Sequence, residues 1–319
     1  MQKATDPENA TGAPAQARSR PMRAIGLMCL ACALFACLDT TAKYLAVVAE
    51  LPMGQIVWMR YLGQFLGMVL AFGLLAVPRL LRTQKLKAQI VRSFLLLTST
   101  ACNFLALRHL RLDQTTTIGF LTPLTVAVLA GPILGEWIGW RRAVAIVVGF
   151  SGVVIALRPG FGEIHPAFLF AFASMVSYAF FSLLTRHLAP YDSAEVTLFY
   201  SLLAGTFLAA PFALVQWVWP DGALGWALLI STGFYGGLGH YLFILAHRYA
   251  PASTVVPFIY ITLITHSAGG YLVFGQLPDR WTLMGAATVV LSGLYLLHRE
   301  RLTARAAAVE ITAKATPNR

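Results

Sequence analysis

Residues 114–158 and 254–299 of this chain are two copies of one segment, so whatever the first copy builds the second must build again. Thr122-Pro-Leu-Thr125 recurs as Thr262-Leu-Ile-Thr265 and Gly135-Glu136 as Gly275-Gln276, both 140 residues on. Trp140 recurs as Trp281, Ser151-Gly152 as Ser292-Gly293 and Arg158 as Arg299, each 141 residues on, so one inserted residue before Trp281 reconciles the two registers. Upstream, Arg108 falls on Arg248 and Arg60 on Tyr200 at 140, while Ala36 and Lys43 fall on Ala179 and Arg186 at 143. The repeat therefore runs through almost the whole chain. Its period is too long for a solenoid unit and suits two fused half-proteins.

Each half must fold in lipid. The 319 residues are 58% hydrophobic and 12% charged, against about 25% charged in soluble domains. Apolar runs suited to ~30 Å of hydrocarbon, nominally about 20 residues, occur at 24–47, 54–77, 93–108, 114–135, 142–157, 166–185, 195–217, 223–246, 252–275 and 281–298. The expected fold is an all-α integral membrane protein of ten transmembrane helices, five in each repeat.

The distribution of cations orients these spans. With the N-terminus inside, 18 Lys and Arg fall on the cytoplasmic side, including the Arg79–Arg92 cluster, Arg141, Arg142, Arg186 and Arg248. Only Arg108, Arg111, Arg158 and Arg280 fall outside, and Lys43 and Arg60 lie within helices. That bias predicts both termini in the cytoplasm. Five spans is an odd number, so the second repeat enters the membrane opposite to the first, and the two five-helix repeats are inverted. All seven tryptophans lie near predicted helix ends, as interfacial anchoring requires. The domain reading is a disordered cytoplasmic tail at 1–23, a first repeat at 24–158, a second at 166–298 and a cytoplasmic tail at 299–319. The first apolar run exceeds a secretory core and carries Asp39 and Lys43, so it reads as a retained helix.

Several function classes drop out. The net charge of +11 comes from short loops beside apolar spans, which is cytoplasmic bias rather than a nucleic-acid surface. Cys29 and Cys32 form a CxxC inside one apolar helix with no second pair to complete a zinc site, so packing explains them and no metal or cofactor is expected. No nucleotide-binding GxxxxGK[ST], HExxH or GxSxG occurs, and the chain does not read as an enzyme.

Polar groups inside the bilayer are the functional candidates, because an ionisable side chain there costs at least ~2.5–3.5 kcal/mol and must face a partner or a wet cavity. Asp39 and Lys43, spaced i,i+4, can pair along their helix. Arg60, at similar depth on the second helix, can reach Asp39 or an anionic ligand. The expectation is one outer-half network of the three, with a purely structural ion cluster as the alternative. Gln64 shares the Arg60 face, while His240 sits on a glycine stripe with Gly233, Gly236 and Gly237. His266 aligns with Thr262, Thr265 and Gly269. Each histidine reads either as a hydrogen-bonded interior residue or as a proton relay or substrate ligand. Inverted repeats set Thr122 and Thr125 opposite Thr262 and Thr265 about a midplane site. Phe35, Tyr61, Tyr178, Tyr200, Tyr241 and Tyr260 can supply stacking surface nearby.

The inverted repeats, the segment Ala106-Leu-Arg-His-Leu-Arg-Leu-Asp-Gln-Thr-Thr-Thr-Ile-Gly-Phe-Leu-Thr-Pro-Leu, Gly135-Glu136 and the run from Gly149 to Gly160 resemble the drug/metabolite transporter superfamily, specifically the EamA-type transporters. The resemblance covers about 24–298 and is weaker in the second repeat, where Gln276 stands in place of the acidic residue. It implies secondary transport by alternating access around a central cavity, with helices five and ten peripheral; it does not settle the cargo, for which the expectation is a small polar organic metabolite. Similar proteins move amino acids, S-adenosylmethionine, riboflavin, metallophores or drugs, some inward and some outward. The expectation is an inner-membrane carrier in the lipid bilayer with a small-molecule substrate and a proton as candidate coupling ion. The alternative is a membrane-embedded enzyme or receptor-like binding protein.

Overall fold

The computed structural model describes residues 21–135, 137, 139–157, 165–188, 190–250 and 252–315. Arg158 and Glu136, both used to trace the repeat, and the N-terminal tail through residue 20 lie outside them. Thirteen helices follow in order: α1 (Pro21–Val47), α2 (Met53–Phe72), α3 (Val77–Leu80), α4 (Leu86–His109), α5 (Leu112–Gly119), α6 (Thr122–Leu134), α7 (Trp140–Leu157), α8 (Ala167–Leu188), α9 (Ala194–Val215), α10 (Gly222–Tyr249), α11 (Ala252–Val255), α12 (Ile261–Phe274) and α13 (Arg280–Ala315). No strand occurs among the described residues.

Nine spans among the described residues are long and apolar enough to cross a membrane. The tenth is α2, whose 20 residues carry Gln55, Arg60 and Gln64; all three are turned into the bundle and buried. Large apolar side chains such as Leu70, Val215 and Leu272 face outward, as lipid requires.

Two spans expected to be continuous are broken. The fourth stops at Gly119 and resumes at Thr122; Pro123 supplies no N–H to carry the ladder through. The ninth passes through a 3-10 turn, Val256–Tyr260, which contains Pro257. The breaks fall at repeat-equivalent places, since Phe120 and Tyr260 are 140 residues apart. Both spans then end on a left-handed glycine, Gly135 at φ 74° and Gly275 at φ 66°, whose N–H groups bond the carbonyls of Gly131 and Tyr271.

The packing obeys the duplication. With α1, α2, α4, α5/α6 and α7 equivalent to α8, α9, α10, α11/α12 and α13, the main contact of α1 on α10 maps onto that of α4 on α8. Packing of α2 on α9 and α7 on α13 maps onto itself, as at a twofold axis. Where α2 crosses α10 the backbones touch: a Cβ on Gly63 would lie 2.9 Å from Gly233 Cα. Ser292 Oγ hydrogen-bonds the Ala145 carbonyl between α13 and α7.

Two expectations change. Residues 299–315, expected as tail, continue α13 as helix, consistent with the high helix propensity of an alanine-rich segment. Arg92, counted with the loop cations, is buried in α4, where it donates to Thr185 Oγ1 (2.7 Å), the Thr197 carbonyl (2.9 Å) and Ser201 Oγ (2.8 Å) of α8 and α9.

Candidate functional site

A cavity of about 680 Å³ lies between the two repeats. Both broken spans border it, with Thr115, Thr116, Phe120 and Thr122 from the fourth and Ile259, Tyr260, Thr262 and His266 from the ninth. Phe120 and Tyr260 meet edge to face, 4.9 Å between centroids, so the two breaks touch across the pseudo-twofold. Backbone freed by a break near mid-membrane is tolerated only where it lines protein or a cavity, and here it does both.

The polar floor is built on α1, α4 and α12. His266 Nε2 is 3.1 Å from Asp39 Oδ2, and Asn103 Nδ2 donates to the same oxygen at 3.4 Å. His266 is buried; the Asp39 side chain keeps 20% of its surface open. The other imidazole nitrogen, Nδ1, lies 2.9 Å from the Thr262 carbonyl one turn back. A carbonyl only accepts, so that contact is made by an Nδ1–H, and Nε2 is left facing the Asp39 carboxyl.

Ten spans place both termini on one face, and the cavity runs toward that face past Ser182, Arg186, Trp137, Arg142 and Leu297. The opposite end is shut. Lys43 Nζ donates to the Leu110 carbonyl (2.6 Å) and to Gln276 Oε1 (3.3 Å) and lies 5.1 Å above the Phe274 ring. Beside it Arg111 forms a two-pronged pair with Asp113, at 3.0 and 2.6 Å, and reaches Asp279 at 4.0 Å. Leu110, Arg111 and Asp113 belong to the first repeat and Gln276 and Asp279 to the second, so these contacts tie the repeats together.

Of the twelve residues expected at the site, Asp39, Thr122, Tyr260, Thr262 and His266 line the cavity. The other seven do not line it. The expected network of Asp39, Lys43 and Arg60 does not form. Asp39 turns to His266, Lys43 to the closed end, and Arg60 to Thr100 (2.9 Å), because each finds a partner outside its own helix. Thr125 donates to Met175 Sδ, and Thr265 bonds the Thr262 carbonyl. His240 bonds the Gly236 carbonyl and packs edge-on against Phe35, which does line the cavity. Gln64 is buried against Gly236. Tyr200 is remote, donating to the Leu81 carbonyl at the terminal face. The reading of the residues did not single out Asn103, Thr115, Thr116 or Ser182; polarity inside a predicted span was signal enough for each. Among the described residues no three His, Cys, Asp or Glu side chains gather as metal ligands.

The EamA-like transporter family matches this chain twice, over residues 22–158 and 165–298. An S-adenosylmethionine uptake transporter of Rickettsia prowazekii is 27% identical over 69% of this chain and 75% of its own length. A riboflavin transporter of Vibrio cholerae is 28% identical over 90% and 97%, and a pseudopaline exporter of Pseudomonas aeruginosa is 24% identical over 78% and 87%. A solved crystal structure, 20% identical, covers 88% of this chain and 98% of its own with a TM-score of 0.60, which is a likeness of fold.

Proposed function

This chain belongs to the EamA-like transporter family and moves a small metabolite across a membrane; from that premise we propose that its cargo is a polar organic compound bound over the Asp39–His266 pair and carried across the inner membrane by alternating access. The supporting observation is the placement of that pair, on the floor of a cavity that both broken spans enclose. The Lys and Arg bias assigns the terminal face, with Arg142 and Arg186, to the cytoplasm. In this arrangement the cavity faces the cytoplasm, and Lys43, Gln276, Arg111, Asp113 and Asp279 close the outside. Passage to the outward-facing state breaks those contacts and closes the Arg142–Arg186 end.

The driving force is a gradient, because the sequence holds no nucleotide-binding loop. A proton fits the site: an imidazole and a carboxyl 3.1 Å apart at the cavity can exchange one. A cationic cargo group can replace His266 at Asp39. Relatives named for uptake and for export leave the direction to the gradients rather than to the fold. No catalytic step is assigned to these residues, whose chemistry is binding and proton exchange.

The test is reconstitution into liposomes loaded with a bacterial metabolite extract. Protein-dependent passage of discrete compounds, unaltered in mass, is the expected result. Conversion of compounds without passage would overturn the reading in favour of an enzyme.

A further inference from the structure

Arg60 poses a question that the transport reading leaves open. Its guanidinium lies inside a membrane-spanning bundle with the side chain nine-tenths buried, and among the described residues no carboxylate comes within ion-pair distance of it. Sequence left it two partners, Asp39 or an anionic ligand, and Asp39 is taken by His266 and Asn103. Its polar contact is Thr100 Oγ1, a neutral hydroxyl also shared with Tyr61, and the faces of Tyr61 and Phe104 lie 5.5 and 5.6 Å away. Arg92 shows what a structural buried arginine looks like in this protein, with three oxygen acceptors from two helices. Arg60 instead leaves Nε without an acceptor, and one turn further along α2 the amide nitrogen of Gln64 is orphaned too. A buried unsatisfied donor is costly, and these two lie side by side, so placed that one acceptor can serve both.

The two orphans converge. Both approach Gly236 of α10, where an added Cβ would clash with the Gln64 amide nitrogen and meet Arg60 Nε at 3.4 Å. Helices α2 and α10 come from opposite repeats, so these donors lie on a seam that alternating access works. They are also close to the cavity floor: Thr100, which holds Arg60, is three residues before Asn103, which holds Asp39, a rise of about 4.5 Å along α4. A guanidinium and a carboxyl group therefore flank one turn of the same helix without pairing with each other.

We propose, resting on the transport reading, that Arg60 and Gln64 form a subsite for a carboxylate of the cargo, adjacent to the Asp39 subsite for its cationic or hydrogen-bond-donating end. Nε of Arg60 and the Gln64 amide supply two converging N–H donors, the geometry a planar carboxylate accepts. The carboxylate brings a counter-charge to Arg60, and it reaches the donors as α10 separates from α2.

Proteoliposomes loaded with a bacterial metabolite extract first identify the compounds that wild type releases. A released carboxylate and its methyl ester are then compared in wild type, Arg60→Gln, Arg60→Lys and Gln64→Leu. Wild type should prefer the acid by at least about tenfold, Arg60→Gln should move acid and ester at one common rate near that of the ester in wild type, and Arg60→Lys should keep part of the preference. Gln64→Leu reads the same subsite if Arg60→Gln fails to insert, and it should reduce the preference without slowing the ester. Released compounds that lack a carboxylate, equal loss of acid and ester in Arg60→Gln, or an unchanged preference in the substituted protein would each overturn the proposal while leaving transport standing. Failure of wild type to release anything would instead contradict the transport reading itself.

Discussion

His266 Nε2 stands 3.1 Å from Asp39 Oδ2 while its Nδ1 faces the Thr262 carbonyl, so a proton taken up or lost at the pair acts directly on a contact between α12 and α1. An inward pH gradient in proteoliposomes at zero membrane potential should therefore accelerate cargo flux in wild type and leave His266→Gln indifferent. A wild-type rate that ignores the gradient, or a substituted protein that responds in full, would remove His266 from coupling and favour exchange or facilitated diffusion.

The closed end, which we propose faces outward, predicts an access asymmetry. Cys32 lines the cavity, so in a protein whose other three cysteines are replaced by alanine an impermeant thiol reagent should label it from the cytoplasmic side and scarcely from outside. Lys43→Met removes the bonds to Leu110 and Gln276, and Asp279→Asn weakens the link to Arg111. Each should raise outside labelling by about fivefold or more, the scale of a coupling near 1 kcal/mol. Labelling from outside that is already complete in wild type would contradict the closed end.

Asp192, in the loop between α8 and α9, tests electrostatics away from the bilayer. Burial opposes its ionisation, but bonds from Thr83 Oγ1, Gln89 Nε2 (2.9 Å) and the Gln84 N–H (3.0 Å) outweigh that and hold its carboxyl below the usual range. A depressed value means stabilisation that is complete above the unfolded value and lost as pH falls through the folded one. Melting in detergent should thus lose a component only below about pH 4. Asp192→Asn should lack that component and cost about 1 kcal/mol at neutral pH after solvent screening. A variant with the same acid profile as wild type would show that the loop contacts contribute nothing.

The Gly63–Gly233 crossing leaves no room for a side chain between α2 and α10. Gly233→Val should destabilise the protein by about 1–3 kcal/mol through overpacking, read as a lower melting temperature, with a larger loss of flux if this seam moves during transport. Wild-type melting and flux together would mean that the helices sit further apart than the structure has them.

The spans, the duplication and the inverted pairing were legible because each rests on long runs of sequence: apolar length, the 140-residue offset and the odd number of spans per repeat. Partner choice was not. Asp39 and Lys43 are correctly placed for an i,i+4 pair, yet the fold offers His266 to one and Gln276 to the other, and neither distance can be read along a single helix. The breaks at Phe120 and Val256–Tyr260 were hidden for a different reason. Pro123 and Pro257 are tolerated inside many membrane helices, and only contact between the two breaks makes them a site. Tyr200 was misleading because repeat symmetry pairs it with Arg60 in register, whereas its hydroxyl serves the loop after α3.

The most direct test of the account is flux of a released metabolite by reconstituted wild type, Asp39→Asn and Asp39→Glu, with insertion and melting measured on the same samples. The carboxylate at the cavity floor is assigned to cargo and proton, so Asp39→Asn should fold and insert as wild type yet lose flux by at least about tenfold, and Asp39→Glu should restore part of it. Undiminished flux through well-inserted Asp39→Asn would contradict the account, because transport would then proceed without the pair on which the cavity is centred.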